Sequence, residues 1–153
     1  MANPFTMFKT DPVMENETGV VLDYGDFGFR IKRAGGANKS FGKLLDKRLE
    51  PYRRQMEAKI MDEDVATNLM IKTYIDTIII APLIADPLGD YADKDGKKWR
   101  KGLYEEDGSI LEGTKEEMIA YFTKLPEQFR DVQSQANSIA LFRAAELEAD
   151  VKN

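Results

Sequence analysis

One stretch of the chain has the residue types to hold a phosphate: "KRAGGANKSFGK", Lys32 to Lys43. A phosphate loop works because bare glycine amides converge on the anion while a lysine and a hydroxyl reach the phosphates and the metal, at the spacing G-x-x-x-x-G-K-[ST]. Here five residues separate Gly36 from Gly42, and Leu44 stands where the hydroxyl belongs. The spacing argues against a nucleotide, and Gly35-Gly36 reads instead as a hinge that aims the following helix without Cβ clashes. A second stretch, "DYADKDG", resembles a calcium loop. Aligning Asp93, Asp95 and Gly96 with that pattern puts Tyr91 at the first ligand and Gly102 where a bidentate glutamate is required.

Catalysis is narrowed by what the chain lacks. It has 153 residues with no cysteine and no histidine, which removes disulfides, thiolate and imidazole metal sites, and Ser-His-Asp or cysteine nucleophile chemistry within one chain. Carboxylates, lysine or tyrosine are left to run any reaction. The acids are numerous but none is set apart by an environment that would split its pKa from its neighbours. Asp62, Glu63 and Asp64 do not converge on one ion; they suit the first turn of a helix, where the macrodipole favours negative charge. No catalytic residue, metal or cofactor is expected.

The elements that would position any site follow from periodicity. Residues 1–17 are polar, punctuated by proline and without period, and read as a flexible arm ahead of a single helix-rich domain over 18–153. Val20 to Tyr24 and Phe27 to Ile31, around Gly25-Asp26, make a hairpin whose Phe27, Phe29 and Ile31 share one face. From an N-cap at Asn38, Phe41, Leu45, Leu49, Tyr52 and Met56 recur at helical spacing through Pro51, which kinks that helix or starts a collinear one. A second helix opens at the acidic run and carries Val65, Leu69, Tyr74, Ile75, Ile78 and Ile79; being apolar over much of its circumference, it should be the most buried. The run "IIIAPLIA", Ile78 to Ala85, is too short to span a bilayer and reads as core.

Beyond Pro82 the composition turns to Asp, Gly and Lys, predicting a long surface excursion anchored by Trp99, with a turn at Asp107-Gly108 that closes a short hairpin. Thr114 and Glu117 form a capping box for a short helix with Met118, Tyr121, Phe122 and Leu125. Pro126 starts the last helix, where Phe129, Val132, Ala136, Ile139 and Leu147 share a stripe. Leu141 and Phe142 point away from that stripe, so they are either buried by a second neighbour or offered to a partner. The fold class expected is mainly α: four to five helices in a compact bundle, with a small N-terminal β-hairpin and the Asp/Gly-rich excursion.

Charge is unevenly distributed. The chain carries -5 overall, yet Arg30 to Arg54 holds nine Lys or Arg against Asp46 and Glu50. A basic stripe of Lys39, Lys43, Lys47 and Arg54 on an otherwise acidic body suits a solvated helix face, an acidic partner segment or a neighbouring acidic subunit. Nucleic acid fits less well, because the aromatics that would stack on bases, Phe41 and Tyr52, lie on the opposite stripe. No cationic head precedes an apolar segment at the N-terminus, so neither a secretion signal nor a membrane anchor is expected and the chain should stay in the cytoplasm.

Three blocks, "LDYGDFGFRIKRAGGANKSFGKLLDKRLEPYRRQ", "LPEQFRDVQSQANSIALF" and "AAELEADVKN", together resemble tail assembly chaperones of long, non-contractile-tailed bacteriophages, the siphophage type. The resemblance covers most of residues 18–153 in order and spacing, with Asp86 to Gly102 longer than in such relatives. It implies a mostly helical protein of the host cytoplasm that coats the tape measure protein during tail assembly, keeps it soluble until tube subunits polymerise, and is not retained in the mature virion. It further implies self-association along that client, and a longer product of ribosomal frameshifting whose extension recruits the tail tube protein; the end at Lys152-Asn153 fits the short product. On the residues alone, Lys39, Lys43, Lys47, Arg54, Leu141 and Phe142 are the candidate contacts with client or self. The competing readings are, in order, a permanent structural subunit of a tail or other assembly, a nucleic-acid binder and a carboxylate-dependent enzyme.

Overall fold

The run Thr77-Ile78-Ile79-Ile80 is β-branched throughout, and a helix continuing past it would drive the Pro82 ring into the Ile78 carbonyl. The chain therefore leaves the helical state here. In the computed structural model, which describes residues 3–143, a helix ends at Thr77 and a strand, Ile79–Ala85, begins almost at once. The freed Ile78 carbonyl accepts the Lys32 amide at 2.8 Å. That strand is the middle of the sheet.

In chain order the elements are α1 (Pro4–Phe8), a π turn Met14–Thr18, β1 (Val20–Asp23), β2 (Phe27–Ile31), α2 (Lys39–Leu49), a 3-10 turn Glu50–Tyr52, α3 (Arg53–Glu57), α4 (Glu63–Thr77), β3 (Ile79–Ala85), β4 (Tyr91–Ala92), β5 (Lys98–Lys101), β6 (Leu103–Tyr104), β7 (Ile110–Leu111), α5 (Lys115–Lys124), α6 (Pro126–Ala136) and a 3-10 turn Ala140–Phe142. Five strands form one antiparallel sheet in the order β1-β2-β3-β5-β4, and β6-β7 pair separately. The larger sheet curls into a half-barrel, and the described residues are 49% helix and 20% strand. This corrects the mainly-α bundle: the fold is an antiparallel sheet with helices packed on one face.

The segment read as a surface excursion is the reason for the difference. Residues 86–102 supply β4 and β5, with Trp99 opposite Ala85 of β3 and Tyr91 opposite Trp99. Alternation was hidden because the one buried residue of β5, Trp99, is flanked by Lys98, Arg100 and Lys101 and the strand is short; cross-strand pairing, not composition, makes it a strand.

The hairpin formed as expected, with Val20 opposite Ile31 and Leu22 opposite Phe29. These four side chains meet Ile71, Tyr74 and Ile75 of α4, Ile78 just beyond it, Met118 and Phe122 of α5, and Phe129, Val132 and Ala136 of α6 in one core. Phe122 lies at its middle, with ring centroids 5.2 Å from Phe29 and 5.4 Å from Phe129. Helix α4 begins at an Asp62 cap, whose carboxylate accepts the Asp64 and Val65 amides, and it is buried in its second half, Ile71 to Thr77, while Val65 near its start is exposed. At Pro51 the α2 helix tightens into the 3-10 turn before α3 resumes. The proline thus interrupts the helix without reversing it.

Asn38 stands at the expected start of α2 but makes no side-chain cap. Its amide is buried and donates instead to the carbonyls of Arg33 and Thr77, both at 2.9 Å, clamping the α2 entry to the end of α4.

The glycine loop does hold an anion, and that anion belongs to the protein. Glu15, from the segment read as a flexible arm, is buried with its carboxylate paired to Arg33 and accepting the Ala37 amide at 3.1 Å. Gly36, at φ +54, leaves the room: a Cβ there would sit 2.5 Å from Glu15 Oε2. From Thr10 onward the arm is tied down, by a bridge between Thr10 and Arg143 and by the Asp11 amide donating to the Phe142 carbonyl at 3.0 Å. Ahead of it, Phe5 and Phe8 of α1 are exposed.

This ion pair gives a pH prediction. Burial pushes the Glu15 carboxyl up, but the hydrogen bonds from Arg33 and Ala37 outweigh it and hold the group below its ordinary 4.5. A carboxyl lowered in the folded state stabilises fully above its unfolded pKa and stops doing so as pH falls through the folded one. Glu15→Gln should cost about 2 kcal/mol near neutrality, since it leaves the Arg33 guanidinium short of its partner. Urea midpoints of wild type and variant should converge in acid below that range. A gap that persisted unchanged would mean packing, not charge, sets the cost.

Candidate functional site

Two surface features of opposite charge stand out. The first is a groove between α5 and the β6-β7 hairpin, and its walls are set by local sequence. Asp107 accepts the Ser109 amide at 2.9 Å and Gly108 turns at φ +88, which reverses the chain between β6 and β7. The capping box then starts α5: Thr114 Oγ1 accepts the Glu117 amide at 3.2 Å, and Glu117 Oε1 accepts the amides of Gly113 and Thr114 at 3.0 and 2.9 Å. Those backbone hydrogen bonds keep the Glu117 carboxyl below its usual range. The Gly113 Cα faces the Pro82 ring so closely that a side chain would not fit, which brings the start of α5 against β3.

The resulting groove encloses about 760 Å³. Leu103, Leu111, Ala120, Tyr121 and Leu125 give it an apolar floor, and Leu125 is 45% exposed. The Tyr121 hydroxyl donates to Gln128 Oε1, and burial raises its pKa, so it is a neutral donor at physiological pH. Glu105, Glu106 and Glu116 line the rim with Lys124, whose ammonium lies 3.9 Å from Glu105. Apolar burial and charge attraction are the chemistry such a surface offers.

The second feature is the basic quarter of the chain, which the fold divides. Arg33 pairs with Glu15, Arg48 with Asp76 and Arg53 with Glu50, while Arg30 donates to the Thr18 carbonyl and lies 4.4 Å from the Tyr91 ring centroid. Asp76 also takes Lys115 at 2.8 Å, joining α2, α4 and α5. Burial would raise this carboxyl, but the two cations hold it low. Lys39, Lys43, Lys47 and Arg54 remain exposed, and no ion pair engages them among the described residues. All four cations of the stripe expected from the sequence are therefore on the surface, while Arg33, Arg48 and Arg53 of the same quarter are paired.

Leu141 and Phe142 do not join it. Helix α6 stops at Ala136, whose carbonyl is taken by the Ala34 amide at 2.9 Å. The chain then turns so that Phe142 is fully buried in the core and Leu141 is partly buried against it. Phe142 is a packing residue, so of the two placements the sequence allowed it takes burial by a second neighbour. Leu147, and the chain from Ala144 on, lie outside the described residues.

The "DYADKDG" stretch is β4 followed by the turn into β5. Asp93 accepts the Asp95 and Lys97 amides at 3.0 Å with one oxygen and the Trp99 indole at 3.0 Å with the other. Among the described residues no group of three or more acidic side chains is placed to hold a metal ion, and no helix is long and apolar enough to cross a membrane.

Sequence reasoning located both boundaries of the groove, the Asp107-Gly108 turn and the capping box, without finding the groove. The available signal was Glu105-Glu106 on one side and Glu116 on the other, each beside apolar residues of a different element. No protein-family model, curated protein or solved structure matches the chain.

Proposed function

We propose that this protein is a tail assembly chaperone of a long-tailed phage, binding and solubilising the tape measure protein without catalysis. The observation that carries the reading is the order and spacing of the three sequence blocks from Leu22 to Asn153. The apolar groove and the exposed cations of α2 and α3 support it as surfaces on which a long helical client could be held by burial and oriented by charge. On this reading the protein works in the host cytoplasm, associates with itself along the client and is absent from the finished particle. A longer frameshifted product would bring in the tube protein.

The test is co-expression with the tape measure protein of the same genome, followed by affinity capture and mass determination in solution. A soluble complex with many copies of this chain per client is expected. An insoluble tape measure with this protein eluting alone would reject the reading. Recovery of the chain in purified particles would favour a permanent structural subunit instead.

A further inference from the structure

The groove between α5 and the β6-β7 hairpin restricts what can occupy it. Its floor is apolar and open to solvent along α5, a helix of ten residues and thus about 15 Å long. That length matches roughly three turns of a docked helix, which would present apolar anchors at i, i+3, i+4 and i+7. The rim is acidic on both sides: Glu105 and Glu106 come from the hairpin and Glu116 from α5, with Lys124 the one cation lining the groove among the described residues. An occupant must fill the floor and complement that rim.

We infer that the groove binds an amphipathic helix of a partner protein, one whose apolar stripe is flanked by Lys or Arg. A second copy of this chain fits poorly. The apolar stripe of its basic helix α2 is committed to α4, with Phe41 edge-on to Tyr74 at 5.2 Å, and the outward Lys39, Lys43 and Lys47 bring nothing apolar. Helix α1 exposes Phe5 and Phe8 but has five residues, too few turns to follow the groove. The inference rests on the chaperone reading only for identifying that helix as part of the tape measure protein.

The probe is a labelled synthetic helix of about 18 residues, five turns, with leucines on one face and lysines beside them. Fluorescence anisotropy with the full chain should show saturable binding. A scrambled peptide of equal composition and a leucine-glutamate helix should not bind. Ala120→Glu, at an exposed floor position, separates groove occupancy from charge attraction, because it blocks the floor while adding negative charge. It should weaken binding by at least about tenfold. Glu106→Lys should weaken it several-fold with a shallower salt dependence, and Glu57→Lys on α3 should leave it unchanged. Thermal unfolding checks that each variant is folded.

Equal or tighter binding by Ala120→Glu, or equal binding of the scrambled or acidic peptide, overturns the groove assignment. So does a homo-oligomer that Ala120→Glu dissociates, since the occupant would then be a second copy. Tape measure capture that survives Ala120→Glu while the peptide is lost overturns the assignment too, yet leaves the chaperone reading standing. Peptide binding without any tape measure capture has the reverse effect on the chaperone reading and supports the groove.

Discussion

Trp99→Ala should lower stability by about 4 kcal/mol, the range for emptying a fully buried aromatic site. Trp99 is 0% exposed although it lies outside the main helix-facing core. It sits on the opposite face of the sheet, in the register of Ala85 and Tyr91. Gly28 makes the space: a Cβ there would run into the Leu22 carbonyl and come 3.3 Å from the indole. Asp93 accepts the indole N–H, and Lys97 lies 4.5 Å from the ring centroid while bonding Asp23 and the Gly25 carbonyl. Trp99 and the Lys97 beside it together hold the β4-β5 pair to the β1-β2 hairpin. Alanine would leave a cavity and an unpaired Asp93 oxygen together, and neighbouring backbone in two strands limits collapse. Urea unfolding measures the loss. A change below about 1 kcal/mol would mean the 86–102 segment is not part of the cooperative unit.

Phe142→Asp should be at least as severe, because it combines loss of a buried phenyl, worth about 3–5 kcal/mol, with the cost of placing a carboxylate among apolar groups. Typical domains have about 5–15 kcal/mol in total, so the variant should be largely unfolded at 37 °C. Phe142 touches the core from the end of the described chain, and its carbonyl receives the Asp11 amide. The same substitution should therefore loosen the Glu15 segment as well, seen as faster hydrogen exchange in residues 10–18. Leu141→Asp, at a partly buried position, should do less. Circular dichroism separates the alternatives: a Phe142→Asp protein that keeps its native signal but loses client capture would place Phe142 on a contact surface rather than in the core.

The contrast between these two residues shows how far local pattern reaches. Phe142 was marked in the sequence because it broke the stripe of the last helix, which left it either buried by a second neighbour or offered to a partner. The helix does not extend that far. A single long-range bond, Ala34 amide to Ala136 carbonyl, takes the acceptor that continued winding would need, and no window of sequence contains both partners. Trp99 was identified correctly as an anchor, but what it anchors is a strand and not a loop.

The sequence alone determined several elements whose signal is local. The β1-β2 hairpin, the start of α4 at its acidic run, the Thr114-Glu117 capping box and the Asp107-Gly108 turn each depend on side chains within a few residues of the backbone they satisfy. Absence of histidine and cysteine likewise bounded the chemistry before any coordinates. Tertiary structure decided what depends on partners distant in the chain: that Ile79–Ala85 is a central strand, that residues 91–101 pair beside it, that Gly36 closes over the Glu15 carboxylate, and that acids from a hairpin and a helix rim one groove. The physical reason is that a strand is stabilised by its neighbours and a groove by the gap between elements, and neither exists until the chain has closed its long loops.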